Sequence, residues 1–241
     1  MKKTFKQKWA LKIRKAHRYL GIFLGIQFIF WTLSGLYFSW TDINEIRGDH
    51  LKKIIAKEKF TKLISPTKID NVKFIESIEI RNINNRPYYF INKQKLFDAW
   101  TGEPKNEITK EEARFVANSF MKEEFIIASI KKINKVNNHH EYRNKPLPAY
   151  VITYNSGNNI KAYVSARDAS FQAVRQRSWR WFDFLWMTHT MDYEGRDNFN
   201  TSILRLFSLL GLITVLSGFL LWFVSSKTCL LYTSDAADDL W

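Results

Sequence analysis

Five histidines are the residues of this sequence best suited to bind a metal or a cofactor, and two of them stand beside apolar segments. His17 opens a long apolar run, and His189 falls on the apolar face of a predicted helix. A neutral imidazole at the end of an apolar span is a natural axial ligand for haem iron, and an ionisable residue there is a functional candidate. Alternatively, His17 hydrates its outer nitrogen beside Arg14 and Arg18. His189 has the alternative of bonding to a carboxylate such as Asp192.

The other three histidines favour simpler interpretations. His50 follows the first apolar run closely and could approach the same outer surface as His189. His139 and His140 are adjacent among asparagines, and neighbours in a strand point to opposite faces, so a solvated loop is favoured over a metal site. No metal site is expected beyond haem iron. Three acids follow His189: Asp192, Glu194 and Asp197. Their spacing fits no calcium loop and predicts a polar turn.

The sequence contains no motif for soluble-type catalysis. It has no glycine-rich phosphate loop, no H-E-x-x-H, no G-x-S-x-G and no C-x-x-C. The single cysteine, Cys229, stands near the C-terminal end. We therefore predict no catalytic residue, and any outer domain must be held together by its core without a disulfide.

Two uncharged segments are long enough to cross a membrane. Residues 19–41 are 23 in number, residues 206–226 are 21, and neither stretch contains a charge. About 20 apolar residues span the hydrocarbon core as a helix. We predict transmembrane helices at 19–41 and 206–227, against the alternative of two buried helices of a soluble protein. The first is too long for the apolar region of a signal peptide and has no small-residue cleavage site.

The charge distribution predicts the orientation. The net charge is +14, and residues 1–18 contain eight lysines and arginines and no acid. A basic segment beside a span stays in the cytoplasm and binds anionic lipid. We therefore expect 1–18 and the C-terminal end to be cytoplasmic and 42–205 to lie outside. No nucleic-acid motif is present, and the expected partner is the lipid bilayer.

Small residues recur along one stripe of each predicted span. Such stripes let helix backbones approach closely in lipid and predict helix-packing faces. The glycines concerned are Gly21, Gly25 and Gly35 in the first span and Gly211 and Gly218 in the second.

The outer block predicts an α+β fold with a rough internal duplication over 42–177. The first unit opens at Ser65-Pro66, with strands at 72–80, 87–92 and 95–100. The second opens with the capping box Thr109–Glu112 and a helix, followed by strands at 125–133, 148–155, 160–165 and 170–174. Residues 178–205 begin with an aromatic amphipathic helix, which favours the membrane interface over packing on the sheet.

The chain resembles a known family at both of its helical ends. The segment AHRYLGIFLGIQFIFWTLSGLYFSW (16–40) resembles the first helix of the PepSY-associated transmembrane family, and WMTHTMDYEGRDNFNTSILRLFSLLGLITVLSGFLLW (186–222) resembles the second. The stretches KLFDAWTGEPKNEITKEEARFVANSF (95–120) and AYVSARDASFQAVRQR (162–177) look like PepSY repeats. In the second copy Asp168-Ala169 matches Asp98-Ala99, but Phe171-Gln172 stands where the first has Thr101-Gly102.

This resemblance implies a bacterial inner-membrane protein with an extracytoplasmic PepSY domain. Larger relatives include iron-regulated proteins and ferric-siderophore reductases that carry b-type haem on helix histidines. The resemblance therefore implies haem b on His17 and His189, with a ferric chelate as the outer partner. PepSY domains elsewhere are associated with protease propeptides and inhibition, so a non-enzymatic module that binds or restrains an extracytoplasmic protein, such as a peptidase, is the alternative. Whether the chain is an enzyme stays open, as does a role as a subunit of a larger transport complex.

Two further expectations concern assembly and the C-terminal end. The hydrocarbon that separates His17 from His189 is about 30 Å thick, so one haem cannot bridge them. A homodimer or further spans would have to supply the second ligands. Residues 228–241 (TCLLYTSDAADDLW) add three acids and no base to a lysine-rich chain. We expect this tail to be non-native and disordered, against the alternative of a short native tail, with the true C-terminus missing.

Overall fold

The computed structural model describes the backbone of residues 5–55, 59–70 and 72–238. The side chains that it describes belong to residues within the range 9–223. The described chain forms two compact units. One contains the residues up to Ser39 and those from Leu185 onward, and is helical. The other, Trp40–Phe184, contains both β-sheets.

The helical unit contains two helices that are long and apolar enough to cross a membrane. Helix α1 runs over Phe5–Trp40 and helix α5 over Ser202–Asp238, with candidate spans at Leu11–Trp40 and Ser202–Phe223. Ile22 is 69% exposed and Phe219 is 66% exposed. Apolar side chains on all sides of a helix are unfavourable in water and favourable in lipid.

The helix α5 continues through most of the tail, which we expected to be disordered. Its backbone is helical to Asp238, and residues 239–241 lie outside the described residues. Because the tail contains no proline or glycine, its sequence offers no residue that would stop a helix already formed by the span.

The first unit of the domain forms an antiparallel sheet of sequential strands. The strands are β1 (Ile78–Ile83), β2 (Arg86–Ile91), β3 (Lys95–Asp98) and β4 (Pro104–Lys105), in the order β1-β2-β3-β4. Before them stands the short helix α2 (Ile43–Ile46), with 3₁₀ turns at Asp49–Leu51 and Pro66–Lys68. The predicted strands at 87–92 and 95–100 are therefore present, and the first strand begins later than predicted.

The second unit repeats this order with a full helix. The capping box forms at helix α3 (Lys110–Phe120), where Thr109 Oγ1 accepts the Glu112 N–H and Glu112 accepts the Thr109 N–H. The strands β5 (Ile127–Ile133), β6 (Ala149–Tyr154), β7 (Lys161–Ser165) and β8 (Phe171–Arg175) pair in sequence order. Ala113, Val116 and Ala117 of α3 pack into one core with residues of both sheets, as their helical spacing predicts.

The duplication is visible in hydrogen bonds at equivalent positions. In the first unit the Ile64 N–H donates to Ala99 O at 2.9 Å, and the Ala99 N–H donates to Pro87 O at 2.9 Å. The Tyr89 hydroxyl then donates to Ile64 O at 2.9 Å. These bonds fix the start of the unit against the end of its third strand.

The second unit repeats each of these bonds. The Ile108 N–H donates to Ala166 O at 2.8 Å, and the Ala166 N–H donates to Pro148 O at 2.9 Å. The Tyr150 hydroxyl donates to Ile108 O at 3.1 Å. Ala99 and Ala166 are therefore equivalent, and the match of Ala99 with Ala169 expected from sequence is wrong by three residues.

The left-handed residues of the two turns agree with this corrected alignment. The Gly102 N–H donates to Asp98 O, and the Ala169 N–H donates to Ser165 O. Both donors have positive φ, +80° at Gly102 and +57° at Ala169. Glycine adopts this conformation at little cost, whereas alanine is strained there, so the second copy has lost the D-A-x-T-G sequence while keeping the turn.

The α-helix expected at the start of the first unit is reduced to the 3₁₀ turn Pro66–Lys68. Lys68 stands where the second unit has Glu112, so no capping box can form, and the Ser65 side chain makes no cap hydrogen bond. The two units thus share their strands and turns but differ in their helix.

Helix α4 (Arg177–Thr190) is divided between the domain and the helical unit of the chain. Its residues up to Phe184 belong to the domain, and those from Leu185 belong to the helical unit.

Candidate functional site

His17 lies on α1 against the glycine stripe of α5. Its Nδ1 is 2.7 Å from Ser217 Oγ, and a Cβ added at Gly218 would stand 3.4 Å from its Cε1. Gly218 therefore leaves the space in which the imidazole sits. The interaction of His17 is with a serine of the other span.

The proton on this hydrogen bond can be assigned by chemistry. Ser217 has one hydroxyl hydrogen, and its Oγ is also 2.7 Å from Thr214 O, which can only accept. If the hydroxyl donates to that carbonyl, His17 must donate from Nδ1. Neutral His17 then keeps an unprotonated Nε2 with a free lone pair.

His189 repeats this arrangement at the end of α4. Its Nδ1 is 2.7 Å from Ser34 Oγ, and the Ser34 hydroxyl is 2.6 Å from Phe30 O. If the Ser34 hydroxyl donates to this carbonyl, the proton of neutral His189 lies on Nδ1, and Nε2 keeps its lone pair. The ring of Phe38 meets the imidazole edge to face at 5.7 Å.

One face of α1 holds the end of α4 in place. The Gln27 amide donates to Thr188 O at 2.9 Å, and the Trp31 indole donates to His189 O at 2.8 Å. The last carbonyls of a helix have no partner within the helix and are costly to leave unsatisfied in an apolar environment. Gln27 is buried in the middle of the charge-free run, and this capping role explains a polar residue there.

The two histidine sites are far apart along α1. His17 and Ser34 are separated by 17 residues of one helix, which corresponds to about 25 Å at the α-helical rise. Two nitrogens bound to one iron span about 4 Å. Within one chain each histidine would therefore need a second ligand from elsewhere.

The remaining polar candidates are engaged locally. Asp192, which we considered a partner for His189, is buried, and its carboxylate accepts N–H groups from Gly195 at 3.0 Å and Asn198 at 2.8 Å. Burial acts to raise the pKa of Asp192, but these and neighbouring backbone donors outweigh it and hold the pKa below its ordinary value. His140 accepts the Tyr142 N–H at Nδ1 in a turn. Among the described residues, no three His, Cys, Asp or Glu side chains gather as metal ligands.

The glycine stripes differ in what they face. A Cβ at Gly211 would stand 3.3 Å from the Phe28 ring. At Gly21, Gly25 and Gly35, no heavy atom of the described residues lies within 4 Å of the Cβ position, apart from the neighbouring backbone of α1 itself. The buried positions of α1 are instead held by Leu24, Gln27 and Ser34. The small residues of α5 thus receive larger side chains of α1.

The domain contains a charged cluster that the sequence analysis missed. The Glu141 carboxylate accepts hydrogen bonds from the Tyr163 hydroxyl at 2.6 Å and Arg180 Nε at 2.7 Å, and it forms an ion pair with Lys161 at 3.0 Å. Burial acts to raise the pKa of Glu141, but these donors outweigh it, so the pKa lies below its ordinary value. The carboxylate is therefore a fixed structural anion and unsuited to acid–base chemistry.

Two arginines complete this cluster. Arg143 pairs with the buried Asp183 at 2.6 Å, and Arg175 donates to Glu141 O at 2.9 Å while lying 4.1 Å from the Trp179 ring. Burial lowers the pKa of Arg175 to about 10, which still leaves it charged. These pairs join residues that are far apart in sequence. The one signal in the sequence was the presence of three arginines within residues 175–180.

The comparison with known families decides the membership of the chain. The family described as the PepSY-associated TM region matches residues 1–225. The chain belongs to this family. Comparison with the curated proteins and with the solved structures gave no match.

Membership of the PepSY-associated family explains the architecture described above. The protein is a membrane PepSY protein of α+β class, with two candidate membrane helices flanking two antiparallel sheets. His17, His189 and both serine partners fall within the matched residues.

Proposed function

We propose that this PepSY-associated protein holds haem b on His17 and His189 in a bacterial inner membrane, and that it forms part of an electron path that reduces ferric chelates outside. The observation that supports it is the repeated histidine–serine pair. Each imidazole is bonded through Nδ1 at 2.7 Å, which turns Nε2 away with its lone pair free. Histidines that bind metals commonly donate their other ring N–H in this way.

The residues present fit axial ligation. Ser217 and Ser34 set the tautomer and orientation of the two rings, and Trp31 and Gln27 fix the backbone that carries His189. When bound, haem supplies one-electron transfer. The two sites would lie near opposite ends of α1, about 25 Å apart, which suits transfer from one membrane face to the other.

The second ligand of each site must come from outside this chain's own histidine pair. In a two-fold homodimer, His17 can meet its symmetry mate and His189 can meet its own, because an isologous interface can bring a residue to its own copy. Further spans could supply the same ligands.

The haem spectrum and stoichiometry of the purified protein test this proposal. We expect a Soret band and low-spin haem in the wild type, and His17→Ala and His189→Ala should each remove one haem and leave the other. His50→Ala is the matched control, because His50 is exposed in the domain, and it should change nothing. Wild-type protein made with ample haem that shows no Soret absorbance would end the redox proposal.

A second measurement tests the orienting serines without haem. In haem-free protein labelled with ¹⁵N-histidine, both imidazoles should appear as Nδ1–H tautomers in nuclear magnetic resonance spectra. Ser217→Ala should release this preference at His17 alone, and Ser34→Ala at His189 alone. Wild-type rings that are protonated on Nε2 would contradict the free lone pairs on which ligation depends.

A specific surface supports the second candidate function, in which the domain binds an extracytoplasmic protein. Strand β1 is an edge strand, and Ile78 and Ile80 on its face are 40% and 50% exposed. Edge strands that expose apolar side chains are templates for pairing with another chain. This function would be favoured if the purified protein contains no haem and its domain binds an extracytoplasmic protein.

A further inference from the structure

An open pocket on the domain combines a basic rim with an apolar wall. It lies beside the C-terminal end of α3 and the start of β5, with a volume of about 590 Å³. This is within the range of sites that bind small organic molecules. All of the described residues that line it belong to the domain, and none of these takes part in the histidine sites.

The rim carries an excess of positive charge. Lys53, Arg114 and Lys122 line the pocket together with one acid, Glu123. Lys53 pairs with Glu123 at 3.1 Å, but the Glu123 side chain is 90% exposed, so this pair is weak. Within the described part of the chain, neither Arg114 nor Lys122 forms an ion pair. A cleft lined by one sign of charge concentrates ions of the other sign.

Backbone hydrogen bonds join the segment that carries Lys53 to the segment that carries Lys122. The Lys53 N–H donates to Phe120 O at 2.8 Å, and the Lys122 N–H donates to Leu51 O at 3.1 Å. The segment 51–53 is thereby fixed along the end of α3. The backbone that carries Lys53 and Lys122 is therefore in place before any ligand arrives, which lowers the entropic cost of binding.

One side of the pocket, its wall, carries apolar side chains. It includes Met121, Phe125 and Ile126, and Ile126 is 68% exposed. Phe125 packs against the main core, so the wall is anchored. Covering Ile126 with an apolar group would remove exposed hydrocarbon from water and favour binding.

We propose that this pocket binds a small organic anion in which a carboxylate or similar group is joined to an apolar body. The anionic group contacts Arg114 and Lys122, and the apolar body lies against Phe125 and Ile126. The concave shape and limited volume favour a small molecule over a membrane surface. This site is independent of the haem proposal.

Two fluorescent probes that differ in charge test the proposal. Full-length protein in nanodiscs of neutral phosphatidylcholine is titrated with dansylglycine, which has a carboxylate, and with the neutral dansylamide. We expect dansylglycine to bind saturably, with blue-shifted emission above that seen with empty nanodiscs. Dansylamide should bind at least about tenfold more weakly. Equal binding of the two probes would overturn the proposal.

Variants then assign the binding to the pocket. The double change Arg114→Gln and Lys122→Gln should weaken dansylglycine binding about tenfold and bring it close to that of dansylamide. Ile126→Ser should weaken both probes, because this exposed side chain belongs to the wall. The double change Lys95→Gln and Lys131→Gln removes the same charge from exposed positions outside the pocket. Equal weakening by this control would show a general charge effect and overturn the assignment.

Discussion

At the scale of single residues, Glu141 links three parts of the domain that are distant in sequence. It joins its own loop to β7 through Lys161 and Tyr163 and to α4 through Arg180. Its side chain is only 11% exposed, so its charge is poorly solvated and depends on these donors. Removing a partner from such a cluster leaves uncompensated buried charge, which costs more than the pair itself contributes.

This cluster predicts acid sensitivity of the domain. Because the pKa of Glu141 is lower in the folded domain than in the unfolded chain, its stabilisation is complete above the ordinary glutamate value of about 4.3 and is lost as the pH falls through the folded pKa. Glu141→Gln should therefore destabilise the domain by about 2 kcal/mol at pH 7 and by much less at pH 3. Thermal melting of both proteins across this pH range measures the difference.

The control for this pH dependence is Glu124→Gln, which removes an equal charge from an exposed side chain. It should change the melting temperature little at either pH. A Glu141→Gln effect that is as large at pH 3 as at pH 7 would show that the side chain acts by packing and not by charge.

The sequence singled out candidate residues, but it could not show which residues they contact. The positions of His17 and His189 beside apolar segments made them candidates from sequence, and their role as ligands stays a prediction. Their serine partners were not predictable, because Ser217 is 200 residues from His17 and Ser34 is 155 residues from His189. Gln27 could have been suspected, since a buried amide in the middle of a charge-free span requires a hydrogen-bond partner.

At the scale of elements, the packing of α1 and α5 depends on which helix carries the small residue. Gly211 and Gly218 of α5 receive Phe28 and His17 of α1, whereas Gly25 of α1 has open space around its Cβ position. Sequence periodicity cannot make this distinction, because both stripes have the same spacing.

A pair of matched substitutions tests this asymmetry. Gly211→Leu should push against the Phe28 ring, 3.3 Å from the added Cβ, and destabilise the helix pair by about 1–2 kcal/mol. Gly25→Leu adds the same side chain where no described residue outside the neighbouring backbone of α1 lies within 4 Å, and it should have a small effect. Thermal melting of the purified protein in detergent compares the two. Equal sensitivity at both positions would mean that Gly25 also packs closely, against a second copy.

Local signals predicted elements well, and longer comparisons failed. The capping box at Thr109 formed because both of its hydrogen bonds lie within four residues. The helix expected after Ser65 did not form beyond one turn, because an N-cap residue and proline alone do not stabilise a helix. The repeat alignment was wrong by three residues because the sequence matched Asp168-Ala169 to Asp98-Ala99. In the structure Ala169, which has positive φ, is equivalent to Gly102.

At the scale of the whole molecule, the charges are divided unevenly along the chain. Eight bases and no acid precede the first apolar run, whereas residues 19–41 and 206–226 contain no charge. Moving eight positive charges across the membrane is unfavourable against the potential and the anionic inner leaflet. If both candidate spans cross the membrane, we expect the two ends of the chain on one side and the domain on the other.

This distribution predicts that the N-terminus and Lys227 lie in the cytoplasm and the domain lies outside. The single cysteine makes the test simple, because Cys229→Ser gives a protein without thiols into which one cysteine can be returned. An impermeant maleimide applied to intact spheroplasts should label Lys95→Cys in the exposed sheet and should leave Lys3→Cys and Lys227→Cys unlabelled until the membrane is opened. Labelling of Lys3→Cys in intact cells, or protection of Lys95→Cys, would reverse the orientation. It would also place His17 at the outer face, so the direction proposed for electron transfer would fail with it.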